Sequence, residues 1–336
     1  MKSNSFTVMQ VKIKKIGVLT SGGDAPGMNA AIRAVVRGCA YQEIECVGIY
    51  RGYQGLIEND LEELNARSVR NIISRGGTFL KSARSKEFQT IDGRKKAYVN
   101  LKDANIDALV VIGGDGTFTG ALIFNEEHDF PVIGIPATID NDINGTDFTI
   151  GYDTALNTVV EAIDKIRDTA SSHNRLFLVE VMGRDAGDIA LNSGIGAGAE
   201  EILIPEEDRG IERLVESLRK SRKSGKTSSI IVVAEGDKSG KNIFELAAYI
   251  EEHLEDYEIR VSVLGHIQRG GSPSCYDRVL ASKLGIGAVD ALINGERTIM
   301  VGIHHQKVVS VPLEIAIKSG AKYDKNLRRV ADITSV

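Results

Sequence analysis

The pattern that most constrains the fold is an alternation of short apolar segments with longer amphipathic ones. Ala108–Ile112 has no polar residue on either face, and Ile16–Leu19 and Pro131–Ile135 are similarly apolar. Strands of this kind are typical of parallel sheets that are covered by helices on both sides. Thr154–Thr169 instead shows helical spacing, with apolar residues recurring along one stripe.

Over 336 residues this alternation predicts an α/β fold with two similar doubly wound (Rossmann-like) domains. Each would be a three-layer α/β/α arrangement around a mainly parallel sheet. The repeat of the pattern places a boundary near Gly151, and a short helix is predicted over Leu64–Ile73. The pattern leaves open which domain takes a predicted helix at Asp277–Ile293 and a strand at Ile299–Ile303.

Composition narrows the class of protein. Hydrophobic residues at 42% and charged residues at 26% are usual for a globular chain. A formal charge of −5 disfavours general binding to nucleic acid or anionic membranes. The three cysteines have neither disulfide nor zinc spacing, and no apolar run has the length of a signal sequence or a membrane span. These features predict a cytoplasmic protein.

Polar turns follow three of the predicted strands, and the first two are rich in glycine. Thr20–Gly27 leads from a strand into a helix, which is a geometry that binds phosphate through free backbone N–H groups. In Gly113–Thr117 the glycines let a polyphosphate approach the backbone, and Asp115 offers hard oxygen ligands for Mg²⁺. A structural turn remains the alternative at both places.

The third turn contains Asp140 and Asp142, two residues apart. If the segment is extended, both carboxylates point the same way and can act as a base and a metal holder. The alternative is a polar turn whose side chains cap the backbone. Further along, His266 and Arg269 precede a Gly-Gly pair in a loop that could grip a phosphate, whereas His304-His305 has no metal spacing and is read as structural.

Together these motifs resemble the bacterial ATP-dependent 6-phosphofructokinases, from Ile13 to about His305. The segments that carry the resemblance are Leu19–Arg33, Val111–Gly116, Thr138–Asp142, Val181–Arg184 and Leu264–Pro273. The resemblance implies Mg²⁺-dependent transfer of the ATP γ-phosphoryl group to the 1-hydroxyl of fructose 6-phosphate. It also implies an ATP-binding domain of residues 1–150 plus about 267–317, and a sugar-phosphate domain of 151–266 plus about 318–336.

The family pattern assigns roles to individual positions. Asp140 is expected to be the general base, ionised at neutral pH without tuning because a free aspartate has a pKa of about 3.9. Asp115 would hold Mg²⁺, with Asp142 as a supporting acid near the metal. Thr138 would lie beside the transferring phosphoryl group, and Arg184 would stabilise its charge. The expected ATP site is Gly22, Arg84, Ser85, Gly114, Asp115, Gly116 and Thr117. The expected sugar-phosphate site is Thr138, Ile139, Asp140, Met182, Gly183, Arg184, Glu235, His266, Ile267, Gln268 and Arg269, with Arg175 and Arg260 from a neighbouring subunit of a homotetramer.

Two small residues bear on the phosphoryl donor. Pyrophosphate-dependent relatives carry Asp where this chain has Gly116 and Lys where it has Ala137, so ATP is predicted as the donor. The family also has an effector site for ADP or phosphoenolpyruvate. This sequence matches the family pattern of that site at Arg33, Arg37, Arg167, Gly198, Glu200 and Lys226. Ala66 and Ser224 stand where cationic residues are expected, so weakened or altered effector control is predicted.

Several alternatives were considered. A pyrophosphate-dependent phosphofructokinase is disfavoured by Gly116, and another sugar-phosphate kinase is disfavoured by the full His266–Arg269 loop. A regulatory protein that has lost catalysis is disfavoured because Asp115, Asp140 and Asp142 are all present. A dehydrogenase would need the glycine fingerprint after the first strand, which is missing.

Overall fold

A computed structural model of the chain describes residues 13–173, 175–223, 225, 229–254, 258–318 and 323–335. The strands are β1 (Lys15–Thr20), β2 (Glu45–Ile49), β3 (Leu61–Leu64), β4 (Ala108–Gly113), β5 (Val132–Pro136), β6 (Arg175–Val181), β7 (Glu201–Leu203), β8 (Ser229–Ala234), β9 (Glu258–Val263), β10 (Ile299–His304) and β11 (Lys307–Pro312). The helices are α1 (Met28–Tyr41), α2 (Gly52–Glu58), α3 (Ile91–Asp103), α4 (Asp115–His128), α5 (Tyr152–His173), α6 (Asp188–Gly196), α7 (Ile211–Lys223), α8 (Ile243–His253), α9 (Cys275–Ile293), α10 (Leu313–Ala316) and α11 (Lys325–Thr334). Short 3₁₀ helices cover Glu87–Gln89 and Gly265–Arg269.

The strands form two sheets. The larger has seven strands in the order β11-β10-β5-β4-β1-β2-β3, parallel except for its two edge strands. The smaller has four parallel strands in the order β7-β8-β6-β9. The predicted fold class, with two mainly parallel sheets alternating with helices, is confirmed.

The covering of both sheet faces explains the apolar strands. Val110 and Ile112 pack into one core, while Leu109 and Val111 pack into another on the opposite face. The first of these cores continues through α5 into one face of the smaller sheet. Because successive side chains of a strand point to opposite faces, β4 must be apolar throughout.

One predicted element is wrong. Leu64–Ile73 is not a helix: Leu64 ends β3, which pairs antiparallel with β2, and turns follow it. Cross-strand pairing decides the local structure there, since β3 is too short and too exposed to show an apolar alternation.

The membership of the late elements, left open by the pattern, is now clear. β10 joins the larger sheet beside β5, and α9 packs against α1. The division into residues 1–150 plus about 267–317 and 151–266 plus about 318–336 stays a prediction, which this sheet membership supports. In the part of the chain that the structure describes, no helix is long and apolar enough to cross a membrane.

Candidate active site

The three polar turns of the first half meet at one edge of the larger sheet. They follow β1, β4 and β5, which are neighbouring parallel strands, so their carboxyl ends lie side by side. The chain places β2 on one side of β1 and β4 on the other, which makes the space between β1 and β4 the point where strand order reverses. Ligands of open α/β sheets bind in the crevice at such a point.

The first two turns are in direct contact. Thr117 donates its hydroxyl to the carbonyl of Ser21 at 3.1 Å, and Gly22 adopts a left-handed conformation with φ +84°. A Cβ atom on Gly113 would lie 2.5 Å from the same Ser21 carbonyl oxygen. Glycine is therefore required for this close approach, which brings the Gly22 turn beside the amino terminus of α4, where the unpaired N–H groups of a helix attract anions.

Asp140 lies in the third turn, is 2% exposed and is held by Thr138. The Thr138 hydroxyl contacts Asp140 Oδ2 at 3.3 Å and accepts a hydrogen bond from the Asp140 backbone at 3.2 Å. Asp140 Oδ1 is buried, and no described residue donates a hydrogen bond to it. Burial and the neighbouring charge of Asp142 raise the pKa of Asp140 to about 6, against the opposing influence of Arg269, Arg184 and the Thr138 hydroxyl.

Two expectations about this turn need correction. The pKa of Asp140 is not that of a free aspartate, although the group is still mostly ionised at neutral pH. The segment is also not extended, because Asn141 between the two acids is left-handed with φ 51°. The turn nevertheless keeps Asp140 and Asp142 within electrostatic reach of each other.

Arg184 comes from the other sheet, in the loop after β6, and reaches both acidic turns. Its Nη1 lies 3.3 Å from Asp115 Oδ1 and 3.9 Å from Asp142 Oδ2. Arg269 lies beside the glycine turn of the larger sheet, with its Nη1 3.3 Å from the carbonyl of Asp24. Two cations thus stand around the carboxylate cluster, which suits a site that must neutralise a transferring phosphoryl group.

The exposed Glu235 and the buried Gln268 both accept hydrogen bonds from the loop that carries Arg184. Glu235 Oε1 accepts from the backbone N–H groups of Gly183 at 3.3 Å and Arg184 at 2.7 Å. Gln268 Oε1 accepts from the N–H of Met182 at 3.2 Å, and its amide donates to the carbonyl of Gly265 at 3.0 Å. Both residues therefore orient the loop.

Gln268 and Ile139 are 0% exposed, and their expected contact with the sugar phosphate stays a prediction. Ile139 packs in the core of buried apolar residues. His266 and Ile267 are exposed on the 3₁₀ helix that ends at Arg269.

The carboxylate pair fits a magnesium ion. Arg184 already places a cationic group between Asp115 and Asp142, and the Asp115 side chain is 54% exposed. No cluster of three potential ligand residues occurs among the described residues. Mg²⁺ commonly uses one or two carboxylates together with waters and substrate phosphates, so the donor set present suits it.

A family model for phosphofructokinase matches residues 15–292. The chain belongs to the phosphofructokinase family. It is 52% identical over 324 residues to ATP-dependent 6-phosphofructokinase 2 of Bacteroides thetaiotaomicron, covering 96% of this chain and 99% of that protein. It is 55% identical over 324 residues to ATP-dependent 6-phosphofructokinase 1 of Thermus thermophilus, covering 96% of this chain and 100% of that protein.

Solved phosphofructokinases share the fold. The T-state structure of the Pichia pastoris enzyme superposes with a TM-score of 0.86 at 38% identity, covering 91% of this chain but only 35% of the yeast chain. A pyrophosphate-dependent phosphofructokinase from Marinobacter aquaeolei has a TM-score of 0.82 at 21% identity, over 96% of this chain and 92% of its own. The second likeness concerns the fold alone.

Other positions expected from the phosphofructokinase pattern lie outside the carboxylate cluster. Arg84 is exposed in the loop before Glu87–Gln89, and the hydroxyl of Ser85 accepts from the N–H of Phe88 at 3.1 Å. Arg175 and Arg260 both pair with Glu258. They lie toward the amino end of the smaller sheet, opposite the Arg184 loop, so they are distant from the cluster of Asp115, Asp140 and Asp142 in the same chain.

The expected effector residues fall into two groups. Arg167 donates to the carbonyls of Ala197 at 2.6 Å and Gly198 at 2.8 Å, and lies 3.9 Å from Glu200. Arg33 and Arg37 lie on α1, where burial and the charge of Arg37 lower the pKa of Arg33. Lys226 and Ser224 lie outside the described residues.

Sequence reasoning missed Asp277, which joins the two halves of the molecule. Its carboxylate accepts from the N–H groups of Gly151 and Thr154, each at 2.8 Å, and so caps the start of α5 from the start of α9. A weak signal was available, because Ser274 and Asp277 form the Ser-x-x-Asp pattern of a helix start. That pattern predicts the beginning of α9, but it does not predict that Asp277 also caps α5.

Proposed function

We propose that this chain is an ATP-dependent 6-phosphofructokinase, which transfers the γ-phosphoryl group of ATP to the 1-hydroxyl of fructose 6-phosphate. The observation that carries the proposal is the buried Asp140 Oδ1, which no described residue satisfies and which lies in a cluster with Asp115, Asp142 and Arg184. Buried polar atoms are nearly always paired, so an unpaired carboxylate oxygen at a ligand-binding crevice is suited to accept a substrate hydroxyl.

In this mechanism Asp140 accepts the proton of the sugar hydroxyl as the oxygen attacks phosphorus. A pKa of about 6 suits the task, since a base near the operating pH is still ionised and binds the proton more strongly than a free aspartate. Thr138 fixes the carboxylate, and Arg184 compensates negative charge on the transferring group. When bound, Mg²⁺ held by Asp115 with Asp142 nearby supplies further charge neutralisation.

The start of α4 supports ATP as the donor. A Cβ atom on Gly116 would meet no atom within 4 Å, so the space beside the first turn is open for a nucleotide phosphate. An aspartate there would place a negative charge in that space. Ala137, also expected to influence donor choice, is 1% exposed in the core, so the prediction depends on Gly116.

The assembly and control of the enzyme form part of the proposal. We place Arg175 and Arg260 in the fructose 6-phosphate site of a neighbouring subunit within a cytoplasmic homotetramer. We also place Arg33, Arg37, Arg167, Gly198, Glu200 and Lys226 in an effector site with weakened control by ADP or phosphoenolpyruvate. Strongly sigmoidal fructose 6-phosphate kinetics that ADP relieves would contradict weakened control.

Steady-state assay of Asp140→Ser tests the mechanism. Fructose 1,6-bisphosphate formation with ATP should lose at least about 10²-fold in kcat, because a general base contributes that much or more. Asp103→Ser, at the exposed end of α3, is the matched control and should retain wild-type kcat. An unchanged kcat for Asp140→Ser would remove Asp140 from the role of base.

A further inference from the structure

Residues 143–151 form a loop between α5 and the turn that carries Asp140 and Asp142, here called the catalytic turn. Hydrogen bonds attach this loop to the end of the β10–β11 hairpin. Asp147 Oδ1 lies 2.8 Å from His304 Nδ1, and its Oδ2 accepts from the N–H of His305 at 2.8 Å. The backbone N–H of Asp147 also donates to the carbonyl of Ile303 at 2.7 Å. Three hydrogen bonds therefore hold one loop residue against the turn of the hairpin.

A second contact keeps the loop close to β10. The Thr146 hydroxyl accepts from the N–H of Ile303 at 3.0 Å and donates to the carbonyl of Phe148 at 2.9 Å. A Cβ atom on Gly302 would lie 2.8 Å from the carbonyl oxygen of Gly145, so only glycine lets the loop lie this close to the strand. The hairpin and the loop therefore pack backbone against backbone.

The loop in turn holds the residue between the two acids. Asn141, which is 5% exposed, donates its amide to the carbonyl of Asp147 at 3.4 Å and accepts from the N–H of Thr149 at 3.0 Å. The hydroxyl of Thr149 donates to the carbonyl of Thr138 at 2.6 Å. The catalytic turn is thus hydrogen-bonded to the loop on both sides of Asp140.

We propose that Asp147 and His304 form a clasp that sets the direction of the Asp140 and Asp142 carboxylates, and that both are positioning residues for phosphoryl transfer. The inference rests on the proposed function. Neither residue of the clasp is placed at the substrate, and they act through Asn141 and the loop. A catalytic group that is displaced by about 1 Å can lose about 10²-fold in rate, so a fastened loop has a measurable kinetic effect.

Paired substitutions at His304 test the clasp, since its side chain is 58% exposed and its removal leaves the core intact. His304→Ala should lower kcat by about tenfold while the KM values for ATP and fructose 6-phosphate change less than about twofold. His304→Asn keeps an N–H donor near the position of Nδ1 and should recover at least about half of the lost kcat. Asp147→Ala should lower kcat at least as much as His304→Ala.

Lys307→Ala is the control, because Lys307 is exposed and faces His304 across the same hairpin. It should keep wild-type kcat. Wild-type kcat in His304→Ala, or equal loss in His304→Ala and His304→Asn, would overturn the clasp.

Hydrogen exchange separates failure of the clasp from failure of the proposed function. In His304→Ala the amides of residues 138–142 should exchange about tenfold faster than in the wild type, whatever substrate the protein uses. Unchanged exchange in these amides would overturn the clasp. A wild-type protein without activity on fructose 6-phosphate, combined with faster exchange in the variant, would overturn the proposed function and leave the clasp supported.

Discussion

Asp140 combines a structural cost with a chemical advantage. The residue is 2% exposed, one oxygen of its carboxylate has no hydrogen-bond donor among the described residues, and burial is the main cause that raises its pKa to about 6. Burying a charge without full compensation lowers the stability of the folded protein. The same burial keeps the group a stronger base than an exposed aspartate.

Asp140→Asn should therefore stabilise the protein at neutral pH while it abolishes activity. A shift from 3.8 to about 6 is about two pKa units, which corresponds to about 3 kcal/mol at most in the free energy of unfolding. Because the folded-state pKa is the higher one, the cost is absent below pH about 4 and complete above pH about 6.

Denaturant unfolding of the wild type and Asp140→Asn between pH 4 and pH 8 measures this difference. The stability gain of the variant should be near zero at pH 4 and should grow to about 1–3 kcal/mol at pH 7. A stability gain of Asp140→Asn that is independent of pH would mean that the ionised Asp140 carboxylate does not destabilise the wild-type protein.

At the scale of single residues, the sequence identified which acids are present but not their environment. The spacing of Asp140 and Asp142 indicated a paired site, whereas the conformation of the turn that carries them depends on a left-handed Asn141 and on contacts with residues 147–149. His304 was interpreted as structural, since its partner Asp147 is distant in sequence and only the hairpin brings the two together.

Among the elements, α4 carries most of the predicted nucleotide chemistry. Its first turn begins at Asp115, directly after β4 and beside the Gly22 turn. Gly116 lies within that turn and has open space in place of a side chain. The glycine is therefore not required by packing within the described chain.

Substitutions at Gly116 should distinguish an effect on the stability of the fold from an effect on the use of ATP as phosphoryl donor. Gly116→Asp should fold with an unchanged melting temperature but lose at least about 10²-fold in kcat/KM for ATP, because its carboxylate would repel the nucleotide phosphates. Gly116→Ala is the control and should stabilise α4 by about 0.5–1 kcal/mol, since alanine is the better helix former. Full ATP activity in Gly116→Asp would contradict the placement of the nucleotide beside this turn.

Elements with strong periodicity were predictable and those defined by their partners were not. β4, α5 and α7 follow from their apolar patterns within a few residues. β3 and β11 are short or exposed edge strands whose pairing depends on antiparallel neighbours. No local pattern shows such pairing, because the neighbouring strand supplies both the hydrogen bonds and the cover.

For the whole molecule, the candidate site draws on both sheets. Asp115, Asp140 and Asp142 come from the larger sheet and Arg184 from the smaller, with Asp277 joining α9 to α5. Arg175 and Arg260 lie at the opposite end of the smaller sheet. In the proposed homotetramer these two arginines complete the fructose 6-phosphate site of a neighbouring subunit. This sharing of the site between subunits can be tested directly.

Mixed assemblies of two defective subunits should recover activity. Arg260→Ser subunits have an intact Asp140, and Asp140→Ser subunits supply an intact Arg260 to their neighbours. After joint unfolding and refolding, the mixture should be active at low fructose 6-phosphate concentrations at which either variant alone shows less than about a tenth of its activity. Activity equal to the sum of the two variants would place Arg260 outside a shared site.

The choice of phosphoryl donor by the wild-type protein tests most directly whether this chain is an ATP-dependent 6-phosphofructokinase. Formation of fructose 1,6-bisphosphate from fructose 6-phosphate is measured in the presence of Mg²⁺, with ATP in one series and pyrophosphate in the other. We expect turnover with ATP and a kcat/KM for pyrophosphate at least about 10²-fold lower, since the open space at Gly116 admits the nucleotide. Comparable rates with both donors, or turnover with pyrophosphate alone, would contradict this expectation.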